Sequence, residues 1–320
     1  MQPHSRPKVG LALGSGSARG WSHIGVIRAL QAAGYKPDII CGTSIGALVG
    51  AVHAAGHLDW LEAWVRKLDW QGILTLMDFN ISGGLLEGRR LVDFFRQRFN
   101  DEGIEKLSMP FACVATELQT GREVWLNEGS VIDAVRASIA LPGLFTPAQY
   151  EGHVLVDGGL VNPVPVSLCR AMGADVVIAV DLNWDLIGRR ASASPSRLNE
   201  SMAVHAEPPA KTGFFGGWFA GERNASPTVV RTDQTVNRSM LSVLATSLNI
   251  MQVRITQSRL AGDPADVVIR PRLAGIGAMD FDHAVVAIEQ GEFATKLVMP
   301  QIADVIGMGE QERHKKDATM

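Results

Sequence analysis

Gly42-Thr43-Ser44-Ile45-Gly46 is the stretch that most narrows what this chain can fold into. An apolar run, Asp38-Ile39-Ile40-Cys41, leads into it, and a small-residue apolar run, Ala47-Leu48-Val49-Gly50-Ala51-Val52, leads out. That is G-x-S-x-G between a strand and a helix, the context in which the motif presents a nucleophile. Gly42 and Gly46 allow a tight turn with little Cβ clash. Ser44 then sits at the apex, at the N-terminus of a helix whose N–H groups favour developing negative charge. A blander reading fits the same residues: a small-residue turn whose serine only caps the helix.

The surrounding pattern is that of a parallel α/β sheet. Val9–Leu13 reads as a buried strand running into the loop Gly14-Ser15-Gly16-Ser17-Ala18-Arg19-Gly20. A helix follows over Trp21–Ala33, with Ile24, Ile27 and Leu30 on one stripe and Gly34 as its stop. Pro37–Cys41 is the second strand, and a helix apolar nearly all round runs from Gly46 to about Ala55. Strand, helix, strand, helix in so short a span predicts βαβ connections. Two amphipathic helices come next, one carrying Trp60, Leu61, Trp64, Val65 and Leu68, the other Leu91, Phe94, Phe95 and Phe99. Phe111–Thr116 pairs as a hairpin with Glu123–Leu126 across Thr120-Gly121, and a helix spans Val131–Ser138. His153–Asp157 is a strand ending at Gly158-Gly159, and Asp175–Asp181 is a central one.

Composition changes abruptly after that. Residues 186–235 are rich in Ser, Ala, Pro, Asn and Arg without sustained periodicity, and read as a long mobile insertion. Within it stands Phe214-Phe215-Gly216-Gly217-Trp218-Phe219. These aromatics suit a lid or a membrane-surface contact, or docking on their own domain or a second subunit. A helical stripe returns with Leu244, Leu248, Met251 and Ile255 and stops at Gly262-Asp263-Pro264. A last strand, Asp266–Ile269, and a helix over Asp282–Ile306 precede a charged tail.

Several classes are disfavoured. A net charge of −3 gives no reason to expect nucleic acid. Cys41, Cys113 and Cys169 are far apart in apolar surroundings, without C-x-x-C spacing, and read as buried thiols in a reducing compartment. The start is polar, no secretory h-region follows, and no run of ~20 apolar residues exists. The expected location is cytoplasmic, at most peripheral at the inner face of a membrane.

A nucleophilic serine needs a base and an oxyanion hole. The Gly14–Gly20 loop ends the first strand beside the strand that carries Ser44, so both open onto one crevice. Small residues there let N–H groups turn inward as an anion nest, with Arg19 adding positive charge. A nucleotide-phosphate loop is the competing reading, but G-K-[ST] is missing and Arg19 breaks G-x-G-x-x-G. No histidine has a persuasive setting as base. His23 lies in an apolar stripe, His53 within a buried helix and His57 past its stop, and His153 lies four residues before Asp157. His283 completes the order Ser44, Asp157, His283, but Ser44 follows only the second strand, too early for an α/β-hydrolase. Asp157 ends an apolar strand before Gly158-Gly159 and the stiff Asn162-Pro163-Val164-Pro165. Partial desolvation there raises its proton affinity and suits a general base. A carboxylate that bonds its own turn fits as well.

Four blocks in order resemble the patatin-like phospholipase family: Gly14–Gly20, Gly42–Gly46, Arg136-Ala137-Ser138 with Leu141-Pro142-Gly143, and Asp157-Gly158-Gly159 with Asn162-Pro163. The overall pattern is most similar to its RssA-type, neuropathy-target-esterase-like bacterial branch. The resemblance implies a patatin-like three-layer α/β fold with a mainly parallel central sheet flanked by helices. The resemblance covers roughly Val9 to Asp181 and extends weakly through Gly262-Asp263-Pro264; with the composition it leads to the expectation of a tail over 1–7, a patatin-like catalytic domain over 8–185, the insertion over 186–235, a C-terminal strand and helices packing on that domain over 236–308, and a charged tail over 309–320. It further implies a Ser44–Asp157 dyad without histidine, an oxyanion hole at Gly16, Ser17 and Arg19, and no metal or cofactor. The substrate is expected to be a lipid ester, the chain a hydrolase; the alternative is a regulatory or binding protein with vestigial hydrolysis. Ser15 and Ser17 interrupt the family's consecutive glycines, which is tolerable where no positive φ is required.

Overall fold

The computed structural model describes residues 6–76, 88–97, 101, 103–187 and 240–307. The insertion with Phe214, Phe215, Trp218 and Phe219, most of the N-terminal tail, Phe99 and the charged C-terminal tail lie outside the described residues.

The strands are β1 (Val9–Leu13), β2 (Ile39–Thr43), β3 (Phe111–Glu117), β4 (Glu123–Leu126), β5 (Ala148–Tyr150), β6 (His153–Asp157), β7 (Val176–Val180) and β8 (Val267–Ile269). They form one sheet in the order β5-β6-β3-β2-β1-β7-β8, with β4 also on β3. The helices are α1 (Ser22–Ala32), α2 (Ile45–Ala54), α3 (Leu58–Val65), α4 (Trp70–Leu76), α5 (Arg89–Arg96), α6 (Val131–Ser138), α7 (Val166–Ala171), α8 (Met240–Gly262) and α9 (Ala284–Val305).

The parallel core β3-β2-β1-β7-β8 is buried on both faces, as continuous apolar strands require. Leu11 and Leu13 point into the larger core, with α1, α2, α3, α6 and α9; Ala12 points into the thinner one, with α7. That alternation makes three layers. Cys41, Cys113 and Cys169 are buried free thiols. Among the described residues no helix is long and apolar enough to cross a membrane.

The parallel reading needs an antiparallel addition. β5 and β6 form a hairpin over Glu151 and Gly152, both with positive φ (49° and 82°), the signature of a two-residue I′ turn. β5 is three residues long, too short to announce itself by alternation. The stripe expected on α8 is also corrected. Leu248 is buried and Ile255 half-buried, but Leu244 and Met251 are 39% and 46% exposed. The inward face instead carries Leu248, Gln252, Val253 and Thr256. Periodicity identifies a helix, whereas the side it turns inward depends on what it meets.

One register relationship positions the site. β4 occupies one edge of β3 over Cys113–Thr116. β2 and β6 share the other edge, end to end: β2 climbs parallel to β3 until Thr43 stands opposite Val114, and β6 descends antiparallel until Asp157 stands opposite Ala115. The residue after Thr43 is Ser44, so the ends of the two strands meet head to head.

Candidate active site

Ser44 leaves β2 at φ 57°, ψ −124°, outside the regions favoured by L-residues. The strain is held by close packing. A Cβ on Gly42 would stand 2.4 Å from the Gly46 carbonyl oxygen, and one on Gly46 2.2 Å from that of Leu13, so neither tolerates a side chain. The Ser44 N–H donates to Ser138 Oγ at 2.9 Å, and the Ser138 hydroxyl donates to the Val114 carbonyl at 2.7 Å. The last residue of α6 thus pins the turn to β3.

Ser44 Oγ donates to Asp157 Oδ2 at 2.6 Å. The other carboxylate oxygen, Oδ1, accepts from the Gly159 N–H at 2.7 Å. One carboxylate oxygen thus bonds its own turn while the other accepts from the serine hydroxyl. Asp157 is 0% exposed. Burial raises its carboxyl to about 6, opposed by the bonds from Ser44 and Gly159.

The Gly14–Gly20 loop lies across the crevice, and its polar groups can be accounted for one by one. Gly14 N–H donates to Val180 O and Ser15 N–H to Pro163 O. Gly14 O is bonded to His23 Nε2 at 2.7 Å, and Ser15 O accepts from Asn183 Nδ2 at 3.2 Å. Ala18 N–H donates to Ala278 O. The N–H groups of Gly16 and Ser17 have no hydrogen-bond acceptor among the described residues. Ser17 and Ser44 line the same pocket. Ser17 has φ +51°, so the serine stands where a positive φ is in fact required. Arg19 departs from the expectation. Its N–H closes the turn onto Gly16 O, and its buried guanidinium donates to Ile276 O and Asn249 Oδ1, both at 3.3 Å. Burial lowers that guanidinium to about 10, against the attraction of Asp185 and Asp280. Arg19 braces the loop; its N–H is not available to an oxyanion.

Among the described residues, no histidine is a hydrogen-bond partner of Ser44 or Asp157. His23 is fully buried, and burial lowers it to about 4, so it is neutral. A carbonyl only accepts, so His23 carries its proton on Nε2. His153 pairs with Glu117, and His283 with Asp282 at the start of α9. His283 is therefore not the third member of a triad.

From Ser44 an apolar cavity of about 120 Å³ runs between Trp21, Ile45, Leu48, Trp64, Leu68, Ile73, Phe95, Ile139, Leu141, Leu144, Phe145, Met279 and Phe281. Apart from Ser17 and Ser44, every described lining residue is apolar. Trp21 and Trp64 meet edge to face at 6.3 Å, and Phe281 packs on Trp21 at 6.0 Å. Sequence reasoning missed Ser138 as the anchor of the turn and gave no role to Asn183, Asn249 or Gln252. Their only sequence signal is polarity within otherwise apolar segments.

The profile of the patatin-like phospholipase family matches residues 11–170. NTE family proteins of Mycobacterium bovis and Mycobacterium tuberculosis are 34% identical over 323 residues, covering 90% of this chain and 90% of theirs. A lysophospholipase, NTE1, of Coccidioides immitis is 30% identical over 85% of this chain, which spans 16% of that protein. A patatin-like phospholipase domain-containing protein of Mus musculus is 34% identical over 54% of this chain and 13% of its own length. By its matched residues and its full-length bacterial relatives, the chain belongs to the patatin-like phospholipase family.

Proposed function

We propose that the chain is a serine acyl hydrolase that cleaves carboxylic esters of lipids through a two-residue unit, Ser44 and Asp157. The observation that carries this reading is the 2.6 Å bond from Ser44 Oγ, on the lining of an apolar cavity, to a fully buried carboxylate. A carboxyl held near 6 is ionised at neutral pH yet more basic than an exposed one, which suits a general base.

Asp157 takes the Ser44 proton as Oγ attacks the ester carbonyl. The oxyanion that forms is received by the N–H groups of Gly16 and Ser17, a reading supported by their having no other partner among the described residues. Collapse expels the alcohol, which leaves with the proton from Asp157, and an acyl-serine remains. Asp157 then deprotonates water, the hydroxide attacks the acyl-serine, and the fatty acid departs as Ser44 recovers its proton. The cavity receives the acyl chain, each buried methylene adding ~0.8 kcal/mol. The lysophospholipase name of the fungal relative supports a lipid ester as substrate.

A fluorophosphonate probe tests the reading. It is expected to label Ser44, with labelling and turnover of an acyl-ester panel lost in Ser44→Ala and Asp157→Asn. Labelling of a different serine, or turnover that survives Ser44→Ala, overturns it.

A further inference from the structure

We propose that Gln252 is a positioning residue that holds the Gly14–Gly20 loop in register with the Asp157 turn, so that the Gly16 and Ser17 N–H groups stay aimed at the reacting carbonyl. The inference rests on the acyl-hydrolase reading of the same site.

α8 presents a polar stripe inward. Asn249, Gln252 and Thr256 lie at helical spacing on the face that also carries Leu248 and Val253. Gln252 is 6% exposed. A buried amide costs free energy unless it is bonded, and an apolar side chain would pack a helix here at less cost. What Gln252 gains is a set of contacts to the site. Its Oε1 accepts from Ser15 Oγ at 3.1 Å and from Asn183 Nδ2 at 3.2 Å. Asn183 Nδ2 also donates to the Ser15 carbonyl at 3.2 Å, closing a buried triangle on one loop residue. With Oε1 committed to two donors, Nε2 faces the other way. It lies 2.6 Å from where a Cβ on Gly159 would stand, and the same Cβ would be 2.9 Å from Asp157 Oδ1. One amide therefore touches the residue before the free N–H groups and the turn that orients the carboxylate. One helical turn earlier, Asn249 holds Arg19 at the far end of the loop. α8 grips the loop at both ends, and Gln252 is the grip that also packs against Gly159, the residue whose N–H holds Asp157 Oδ1.

The test uses the full chain with Gln252→Met, which keeps length and removes both bonding groups, Ser15→Ala, and the double variant. Steady-state hydrolysis of p-nitrophenyl butyrate is measured with amide hydrogen exchange of the segment 14–20. Each single variant is expected to lower kcat by roughly tenfold or more with KM within about twofold. Exchange of 14–20 should quicken by a similar factor while that of Val9–Leu13 is unchanged. The double variant should be no slower than the slower single, within about twofold, because both remove one contact. Multiplying effects, or unchanged kcat and exchange, overturn the proposal. If Gln252→Met unfolds, Ser15→Ala, which deletes a single oxygen, carries the same expectations. If the wild type hydrolyses no ester, the hydrolase reading falls, and the exchange of 14–20 alone decides whether Gln252 holds the loop.

Discussion

Ser44 and Asp157 are 113 residues apart in the chain and 2.6 Å apart at Oγ and Oδ2, because β2 and β6 abut end to end on one edge of β3. Neither strand alone carries that information. A shift of one residue in either register would turn one of the side chains to the opposite face of the sheet. The strained serine and the buried carboxylate both stand at this meeting.

The carboxylate must be ionised to accept the serine proton, so activity is lost as pH falls through its pKa. The kcat/KM profile is expected to rise with unit slope to a plateau, with an apparent pKa near 6, where burial places Asp157. His153→Gln and His283→Gln should leave that limb in place. A limb near 4, or one that moves in either histidine variant, contradicts the assignment.

Asp157→Asn should lower kcat by at least about 10²–10⁴-fold. It should also stabilise the fold at neutral pH. The folded-state pKa of Asp157 is raised from 3.8 to about 6, so the native state binds this proton more tightly than the unfolded chain. Wild-type stability therefore declines as pH rises from about 4 to about 6 and is flat above. Asparagine has no such loss. The stability difference should be small at pH 4 and reach the order of 1–3 kcal/mol in favour of Asn at pH 8, read as Tm against pH.

Removing the Ser138 hydroxyl leaves the half-buried Ser44 N–H without its acceptor. Ser138→Ala should cost about 1–3 kcal/mol in urea unfolding and lower kcat more than it raises KM. Loss of stability with unchanged kcat would mean that the turn keeps its shape without this anchor.

Ser17→Gly should relieve the cost of a side chain at φ +51°. The gain is expected to be roughly 1 kcal/mol, a rise in Tm of about 1–2 °C, offset in part by the entropy of glycine in the unfolded chain. A fall in Tm would show that the Ser17 side chain contributes more than its backbone costs.

The cavity predicts a chain-length profile. At ~0.8 kcal/mol per methylene, kcat/KM should climb roughly fourfold per added carbon until the cavity is filled. Leu68→Trp, on the lining, should move the maximum to shorter acyl chains while sparing acetate esters. An unchanged optimum would place the acyl group elsewhere.

Much of this is legible in the sequence. β1, β2, α2 and α6 follow from local periodicity and from glycine and proline stops. The elbow was legible because its glycines and flanking apolar runs are contiguous. β5 was not, since three residues carry no period, and its hairpin depends on Glu151 taking a positive φ. The inward face of α8 was not either. Leu244 and Met251 are as apolar as Leu248, and what decided between them is the polar loop that Asn249 and Gln252 meet. Arg19 shows the same limit. Its charge beside a glycine loop points to an anion, whereas two of its guanidinium nitrogens donate to Ile276 O and Asn249 Oδ1.

The sequence by itself determined the α/β class, the turn that presents Ser44 and the strand end that presents Asp157, because these rest on neighbours within a few residues. Only the tertiary structure decided that the serine and the carboxylate share a bond, that Asp157 divides its oxygens between Ser44 and Gly159, and which loop N–H groups remain free. Those outcomes depend on sheet register and on hydrogen bonds between residues far apart in the chain. Burial then sets their strength: away from water the carboxylate is both costly to ionise and free to act as a base.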